Sequence, residues 1–157
     1  MVIFIIVLGA CVLVDLLSKY LLTGRFFNLI PGVLSVHYVE NRGAAFSIFY
    51  GNTVFLIVIS SVLIVGLATF YFWSRRRSKI RDQKPSRVFD IGFAFFIGGA
   101  LGNLVDRVFL GYVRDFIRLD FMTFPIFNLA DVFINIGVIL IVTWVIFLEP
   151  RQSKTKP

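Results

Sequence analysis

Long apolar runs dominate the chain, and most polar side chains are confined to their ends or to the segments between them. A helix needs about 20 mainly apolar residues to cross roughly 30 Å of hydrocarbon. Four segments meet this requirement, residues 2–22, 54–73, 88–110 and 128–148. The pattern predicts an all-α membrane protein with four transmembrane helices, forming a single domain over residues 1–157 with a disordered basic tail over residues 150–157.

Two of the connecting segments show a different pattern, in which apolar side chains alternate with a period of two. Short alternating runs are typical of β-strands. We expect the two segments to pair into a small β-sheet outside the helical bundle. Asp115 would then lie on the same side as its apolar neighbours. The alternating positions are Leu34, Val36 and Tyr38 in one segment and Val113, Asp115 and Ile117 in the other.

Charge gives the expected orientation in the membrane. The chain has 157 residues, is 58% apolar and carries a net charge of +7, with seven Lys and Arg residues and one acid in the segment 74–87. Because basic segments stay in the cytoplasm, this segment and both termini are expected there and the sheet on the extracytoplasmic side. Nucleic-acid binding is not expected, because the basic run has no aromatic residues interleaved. The nineteen phenylalanines are expected to face lipid.

The single cysteine excludes an intramolecular disulfide. The stretch "VLGAC", ending at Cys11, is similar to the cleavage box of a bacterial lipoprotein. However, no basic residue precedes it and the apolar run continues well beyond it, so we expect an uncleaved first helix.

Polar residues from three predicted helices converge at one depth. With the N-terminus inside, Asp15 and Lys19 lie in the outer third of the first helix, on one face because they are four residues apart. Three polar residues end the third helix and two begin the fourth, all near the outer surface. These residues are Asn103, Asp106, Arg107, Asn128 and Asp131.

Structural roles alone could explain the residues of the first and fourth helices. Asn128 and Asp131 have the spacing of an N-cap and its N3 acid, which would close the first turn of a helix. Asp15 and Lys19 could form an intrahelical ion pair whose lysine extends to the interface.

The third helix has structural explanations of the same kind. Asp106 and Arg107 are expected to form a buried pair that orients Asn103. Gly98 and Gly102 have the small-xxx-small spacing that allows close helix packing.

The residue types restrict the possible chemistry. The only histidine, His37, cannot supply an H-E-x-x-H zinc site. Ser18 and Lys19 are adjacent on a helix and point about 100° apart, so they do not form a nucleophile and base. What remains is a pair of carboxylates, Asp115 and Asp131, which could share one proton as in aspartic peptidases. Two alternatives stay open. An ion or proton carrier would use the same polar groups as a relay, and a structural or assembly subunit would use them for packing.

Five ordered blocks give a family resemblance over nearly the whole chain. They are "DLLSK" (15–19), "NRGAAFS" (41–47), "GGALGNLVDR" (98–107), "VRDF" (113–116) and "FNLAD" (127–131). Together they resemble the bacterial lipoprotein signal peptidase, or signal peptidase II. The resemblance implies a multi-pass aspartic endopeptidase of the bacterial inner membrane, active toward the outer leaflet. Such an enzyme cuts diacylglyceryl-modified prolipoproteins just before the lipidated cysteine.

The resemblance also implies roles for individual residues. The catalytic dyad falls on Asp115 and Asp131, while Arg114, where an apolar residue is usual, is expected to point away from Asp115. Apart from the resemblance, the glycine and two alanines within residues 40–51 suit a lid or clamp over a peptide, with a simple turn as the alternative. No metal or cofactor is implied; the partners are lipid-modified prolipoproteins and membrane lipid, and a monomer is expected. Residues that support the dyad or bind substrate fall on Asp15, Lys19, Asn41, Gly43, Asn103, Asp106, Arg107 and Asn128.

Overall fold

The computed structural model describes residues 1–43, 51–80 and 86–148. It contains four long helices, each apolar enough to cross a membrane, as predicted. The second helix continues past the predicted end at residue 73 to Ile80, and so includes the first basic residues of the segment 74–87. The predicted tail lies outside the described residues. The helices are α1 Val2–Leu22, α2 Thr53–Ile80, α3 Arg87–Leu110 and α4 Leu129–Thr143, which continues as a π-helix over Trp144–Leu148.

Helix α3 lies at the centre of the bundle and contacts each of the other three helices. Glycines make this close packing possible. A Cβ at Gly98 would lie 2.8 Å from Cys11 Cβ, and one at Gly102 would overlap the Asp15 carboxylate. The expected close packing at Gly98 and Gly102 is therefore confirmed. Gly137 plays the same part between α4 and α3, since its Cβ would lie 2.5 Å from the Phe96 backbone nitrogen.

An aromatic core fills one end of the bundle. Phe4 stacks on Tyr71 with ring centroids 4.2 Å apart, and Phe89 packs against Trp144 at 4.5 Å. The Tyr71 hydroxyl donates to Asp90 at 3.1 Å. The expectation that phenylalanines face lipid is wrong for Phe4, Phe89, Phe93 and Phe116, which are buried. Core packing between helices requires large apolar side chains as much as the lipid-facing surface does.

A three-stranded antiparallel sheet lies at the opposite end, where α1 and α3 finish and α2 and α4 begin. Strands β1 (Phe26–Ile30) and β2 (Leu34–Asn41) connect α1 to α2, and β3 (Val113–Leu119) follows α3. The order is β1-β2-β3. Strands β2 and β3 form where strands were predicted. Burial does not alternate strictly along them, because Asp115 and Phe116 are both buried and the β2–β3 register shifts between Val36 and Val39. Strand β1 was not predicted, because "FFNLI" is nearly all apolar and does not alternate.

The register of the sheet positions one acid. Val39 pairs with Asp115 and Asn41 with Val113. The chain after β3 then folds back, so that Ile117 forms an antiparallel bridge with Phe127. This bridge brings the start of α4 beside the strand that carries Asp115.

Candidate active site

Asp115 is buried in the middle of β3, with 3% of its surface exposed. Each of its carboxylate oxygens accepts one amide hydrogen bond. Asn128 Nδ2 lies 2.6 Å from Oδ1 and Asn41 Nδ2 lies 2.8 Å from Oδ2. Burial raises the pKa of Asp115 from the ordinary 3.8 to about 7, the charge of Asp131 acts in the same direction, and the two amide bonds oppose the rise. Asp115 can therefore hold a proton near neutral pH.

Asp131 lies in the first turn of α4, where it closes a capping box with Asn128. Asn128 backbone N donates to Asp131 Oδ2 at 3.2 Å, and Asp131 backbone N donates to Asn128 Oδ1 at 3.1 Å. The capping role considered from the sequence is confirmed. It uses only one carboxylate oxygen, because Oδ1 accepts from Asn103 Nδ2 at 2.8 Å. The cap and the polar site thus share one side chain.

Asn128 links the two acids. It is fully buried and is the N-cap of α4. Its Nδ2 donates both to Asp115 Oδ1 and to Asn103 Oδ1, the latter at 3.0 Å. A side chain held by this many partners has one orientation. Asn128 therefore connects the two carboxylates directly, while Asn41 and Asn103 each hold one of them.

Lys19 and Asp15 form the expected ion pair, with Nζ 2.7 Å from Oδ2. The expected extension of the lysine to the interface is wrong, because both side chains are fully buried. Lys19 Nζ donates to Asn103 Oδ1 at 2.9 Å. An ammonium can only donate, so this contact turns the Asn103 NH₂ group toward Asp131. Asp15 Oδ1 accepts from the Ala130 backbone N at 2.9 Å, which ties α1 to the start of α4.

The expected pair between Asp106 and Arg107 is wrong. Consecutive helical residues point about 100° apart, so the two side chains face different neighbours. Asp106 binds Arg114, with Nη2 at 2.7 Å, and lies 3.6 Å from Lys19 Nζ. The hydrogen bond to Asp106 raises the pKa of Arg114.

Arg107 instead contacts the end of β2, donating from Nη2 to Gly43 O at 3.1 Å. Gly43 backbone N donates to Asn41 Oδ1 at 3.0 Å, which leaves the Asn41 NH₂ group facing Asp115. The Arg107 guanidinium also interacts electrostatically with Asp131, Asp115 and Asp106. Residues 44–50 of the expected lid lie outside the described residues.

The structure thus joins all of the predicted site residues in one network of polar contacts, and the network opens on a cavity of about 570 Å³. Asp115 and Asp131 both line this cavity. Its other wall follows α4 as far as Ile139, eight residues or roughly 12 Å along the helix axis from Asp131, and is apolar apart from Asn135. A ligand with a polar centre and an apolar extension fits such a cavity.

Two neighbours of the site were missed from the sequence. Arg114 was not recognised as a partner of Asp106, although an arginine between two buried residues requires an anion. Asn135 lines the cavity, and its position four residues after Asp131 places both side chains on one face of α4. That spacing could have revealed it.

Comparison with known proteins identifies relatives of this chain. A family profile described as signal peptidase (SPase) II matches residues 7–147. A lipoprotein signal peptidase of Caldicellulosiruptor bescii is 42% identical, and the alignment covers 100% of both chains. One from Enterococcus faecalis is 37% identical over 99% of this chain and 95% of its own.

Solved structures agree with the sequence comparison. A bacterial membrane enzyme determined by the in meso method at 2.3 Å resolution superposes with a TM-score of 0.80 at 30% identity, covering 98% of this chain and 94% of that one. A second, at 1.9 Å resolution, gives 0.74 at 31% identity over 92% of each chain. On these matches and the profile, the chain belongs to the signal peptidase II family.

Proposed function

We propose that this protein is an aspartic endopeptidase in which Asp115 and Asp131 form the catalytic dyad. The observation that carries the proposal is the link through Asn128, which binds both carboxylates while both line one cavity. The charge of Asp131 acts on Asp115, so the two acids do not both ionise easily and instead share one proton. Family membership supports the peptidase activity itself.

Asp115 keeps the shared proton and Asp131 is the base. Burial raises the pKa of Asp115 to about 7. Asp131 lies at the N-terminus of α4, where the helix dipole stabilises an anion. Asp131 takes a proton from water, whose oxygen attacks the peptide carbonyl carbon, while Asp115 donates a proton to the carbonyl oxygen. Breakdown of the tetrahedral intermediate breaks the C–N bond, and the leaving nitrogen takes the proton from Asp131. One hydroxyl of the intermediate returns its proton to Asp115 as the new carboxyl C=O forms, which restores the shared proton.

The substrate is a diacylglyceryl-modified prolipoprotein, cut just before the lipidated cysteine. The curated relatives named lipoprotein signal peptidase support this substrate class. The apolar wall along α4 suits the membrane-embedded part of such a substrate. Acyl chains keep the modified cysteine at the membrane surface, so the scissile bond reaches the site by lateral diffusion.

The enzyme lies in the bacterial cell membrane as a monomer with the dyad toward the outer leaflet. The seven basic residues of the segment 74–87 keep that segment and both termini in the cytoplasm. The sheet and the dyad are at the other end of the bundle, and therefore face outward. Neither a metal nor a cofactor takes part in the proposed chemistry.

Incubation of the purified protein with one prolipoprotein in lipidated and unlipidated forms tests this function. Cleavage of the lipidated form alone, with the new N-terminus at the modified cysteine, is expected. Cleavage of both forms would refute the lipid requirement, and cleavage of neither would favour the carrier alternative.

A further inference from the structure

Two buried carboxylates lie behind the proposed dyad with one lysine between them. Asp15 is fully buried and Asp106 is 1% exposed. Lys19 Nζ lies 2.7 Å from Asp15 Oδ2 and 3.6 Å from Asp106 Oδ2. Buried charges are tolerated only when they are paired. One ammonium cannot neutralise two buried carboxylates, so the group needs a second cation.

Arg114 supplies that cation. Its Nη2 lies 2.7 Å from Asp106 Oδ1 and its Nε 3.2 Å from Oδ2, a bidentate contact that a guanidinium makes well. The Arg114 backbone N also donates to Oδ2 at 3.0 Å. The Arg114 side chain is only 16% exposed. With Arg114 included, the two acids and two bases that form ion pairs in this group are balanced in charge, and Arg107 interacts with Asp106 at longer range.

This charge balance determines which groups Lys19 contacts. Lys19 Nζ donates to Asn103 Oδ1, and Asn103 Nδ2 donates to Asp131 Oδ1. Without Arg114, the Asp106 carboxylate would attract the Lys19 ammonium more effectively, because the attraction between the two charges strengthens as they approach each other. Lys19 would then move away from Asn103, and the amide that holds Asp131 would lose its fixed orientation.

We propose that Arg114 is a positioning residue for the reaction: by neutralising Asp106 it keeps Lys19 on Asn103, and Asn103 in turn holds the Asp131 carboxylate in place. The inference rests on the proposed function, since Asp131 is its base. Arg114 acts through Asp106, Lys19 and Asn103 rather than by contact with substrate.

Arg114→Met, which removes the charge and keeps much of the side-chain length, is the first test. We expect kcat per folded enzyme to fall about tenfold and KM to stay within about twofold, because the base is misplaced and substrate contacts are not. Arg114→Lys keeps the charge and should retain most of the activity. Arg118→Met is the matched control, because Arg118 lies on the same strand and is half-exposed. Its Nε lies 3.4 Å from Asp120 Oδ1, and this contact is outside the cavity.

The decisive comparison adds Asp106→Asn. Each single substitution unbalances the group, and the double substitution leaves Lys19 paired with Asp15 alone. The double variant should therefore be more active than either single variant. A double variant no more active than the singles, or equal losses in the Lys and Met variants, would overturn the inference. If the wild type cleaves substrate and Arg114→Met is fully active, only this inference fails; a wild type without activity would refute the proposed function instead.

Discussion

At the residue scale, the site depends on the orientation of three asparagine amides. Each has its oxygen occupied by a donor, so that its NH₂ group must face a carboxylate. The donor is Gly43 N for Asn41, Lys19 Nζ for Asn103 and Asp131 N for Asn128. Because the donors are backbone groups or an ammonium, the amides cannot reverse without losing a hydrogen bond. The carboxylates are thus held before any substrate binds.

The pH dependence of activity follows from the burial of Asp115. Its pKa is raised to about 7, so cleavage should fall above about pH 7 as the shared proton is lost. The pH profile of kcat with a lipidated substrate measures this. A rate that continues to rise well above neutral pH would show that Asp115 does not supply a proton.

Stability should change with pH for the same reason. A carboxyl group whose pKa is higher in the folded protein than in the unfolded chain stabilises the fold at low pH, and this contribution is lost as pH rises from about 4 to about 7. The unfolding temperature in detergent should therefore fall over this interval. Asp115→Asn cannot ionise, so its unfolding temperature should fall less. Equal falls in both proteins would contradict the raised pKa.

The sequence predicted which residues come together better than which of them make contact. Asp115 and Asp131 could be proposed as the dyad because few other groups in the chain could react. The partner of Asp106 could not be predicted, because Arg114 comes next to Asp106 only after the chain turns from α3 into β3. Local spacing favoured Arg107, and tertiary structure decided otherwise.

At the element scale, glycines set how closely α3 approaches its neighbours. Gly98 and Gly102 face α1, and Gly92 and Gly99 face α4. Four helical spans were predictable because each apolar run is long enough to cross a membrane. Strand β1 was not, because all five of its residues are exposed and it has no buried face to impose alternation. Its position depends on pairing with β2, which a local pattern does not encode.

Gly137→Ala should destabilise the α3–α4 interface. The added Cβ would lie 2.5 Å from Phe96 N and 2.8 Å from Gly92 O, and backbone atoms cannot move aside cheaply. We expect a loss of about 1–3 kcal/mol in the free energy of unfolding, measured by denaturation in detergent.

Gly66→Ala on α2 is the matched control, because a Cβ there meets nothing within 4 Å. It should be neutral or slightly stabilising, since alanine is the better helix former. Equal destabilisation by both substitutions would show that close packing at Gly137 is not the cause.

At the scale of the whole molecule, the bundle has two different ends. One has an aromatic core and the basic residues Arg75 to Arg77 in the last turns of α2, and the other has the sheet and the buried polar network. The direction in which this bundle crosses the membrane decides which compartment supplies substrate. The sequence predicted that direction from charge alone.

Cysteine labelling tests the orientation. In a Cys11→Ala background, single cysteines at Asn52 and Thr123, both exposed near the sheet, should react with a membrane-impermeant thiol reagent in intact spheroplasts. One at Gln83, in the basic segment, should react only after lysis, because translocating seven basic residues is unfavourable. The reverse pattern would place the dyad on the cytoplasmic face.

Cleavage of a lipidated prolipoprotein by Asp115→Asn and Asp131→Asn tests the central claim most directly. Both variants keep the side-chain size and remove the shared proton, so each should lose about a thousandfold or more of the wild-type rate while remaining folded. Asp120→Asn, whose side chain contacts Ser35 and Arg118 outside the cavity, should cleave normally. Substantial cleavage by either dyad variant would contradict the assignment of Asp115 and Asp131 as the catalytic pair.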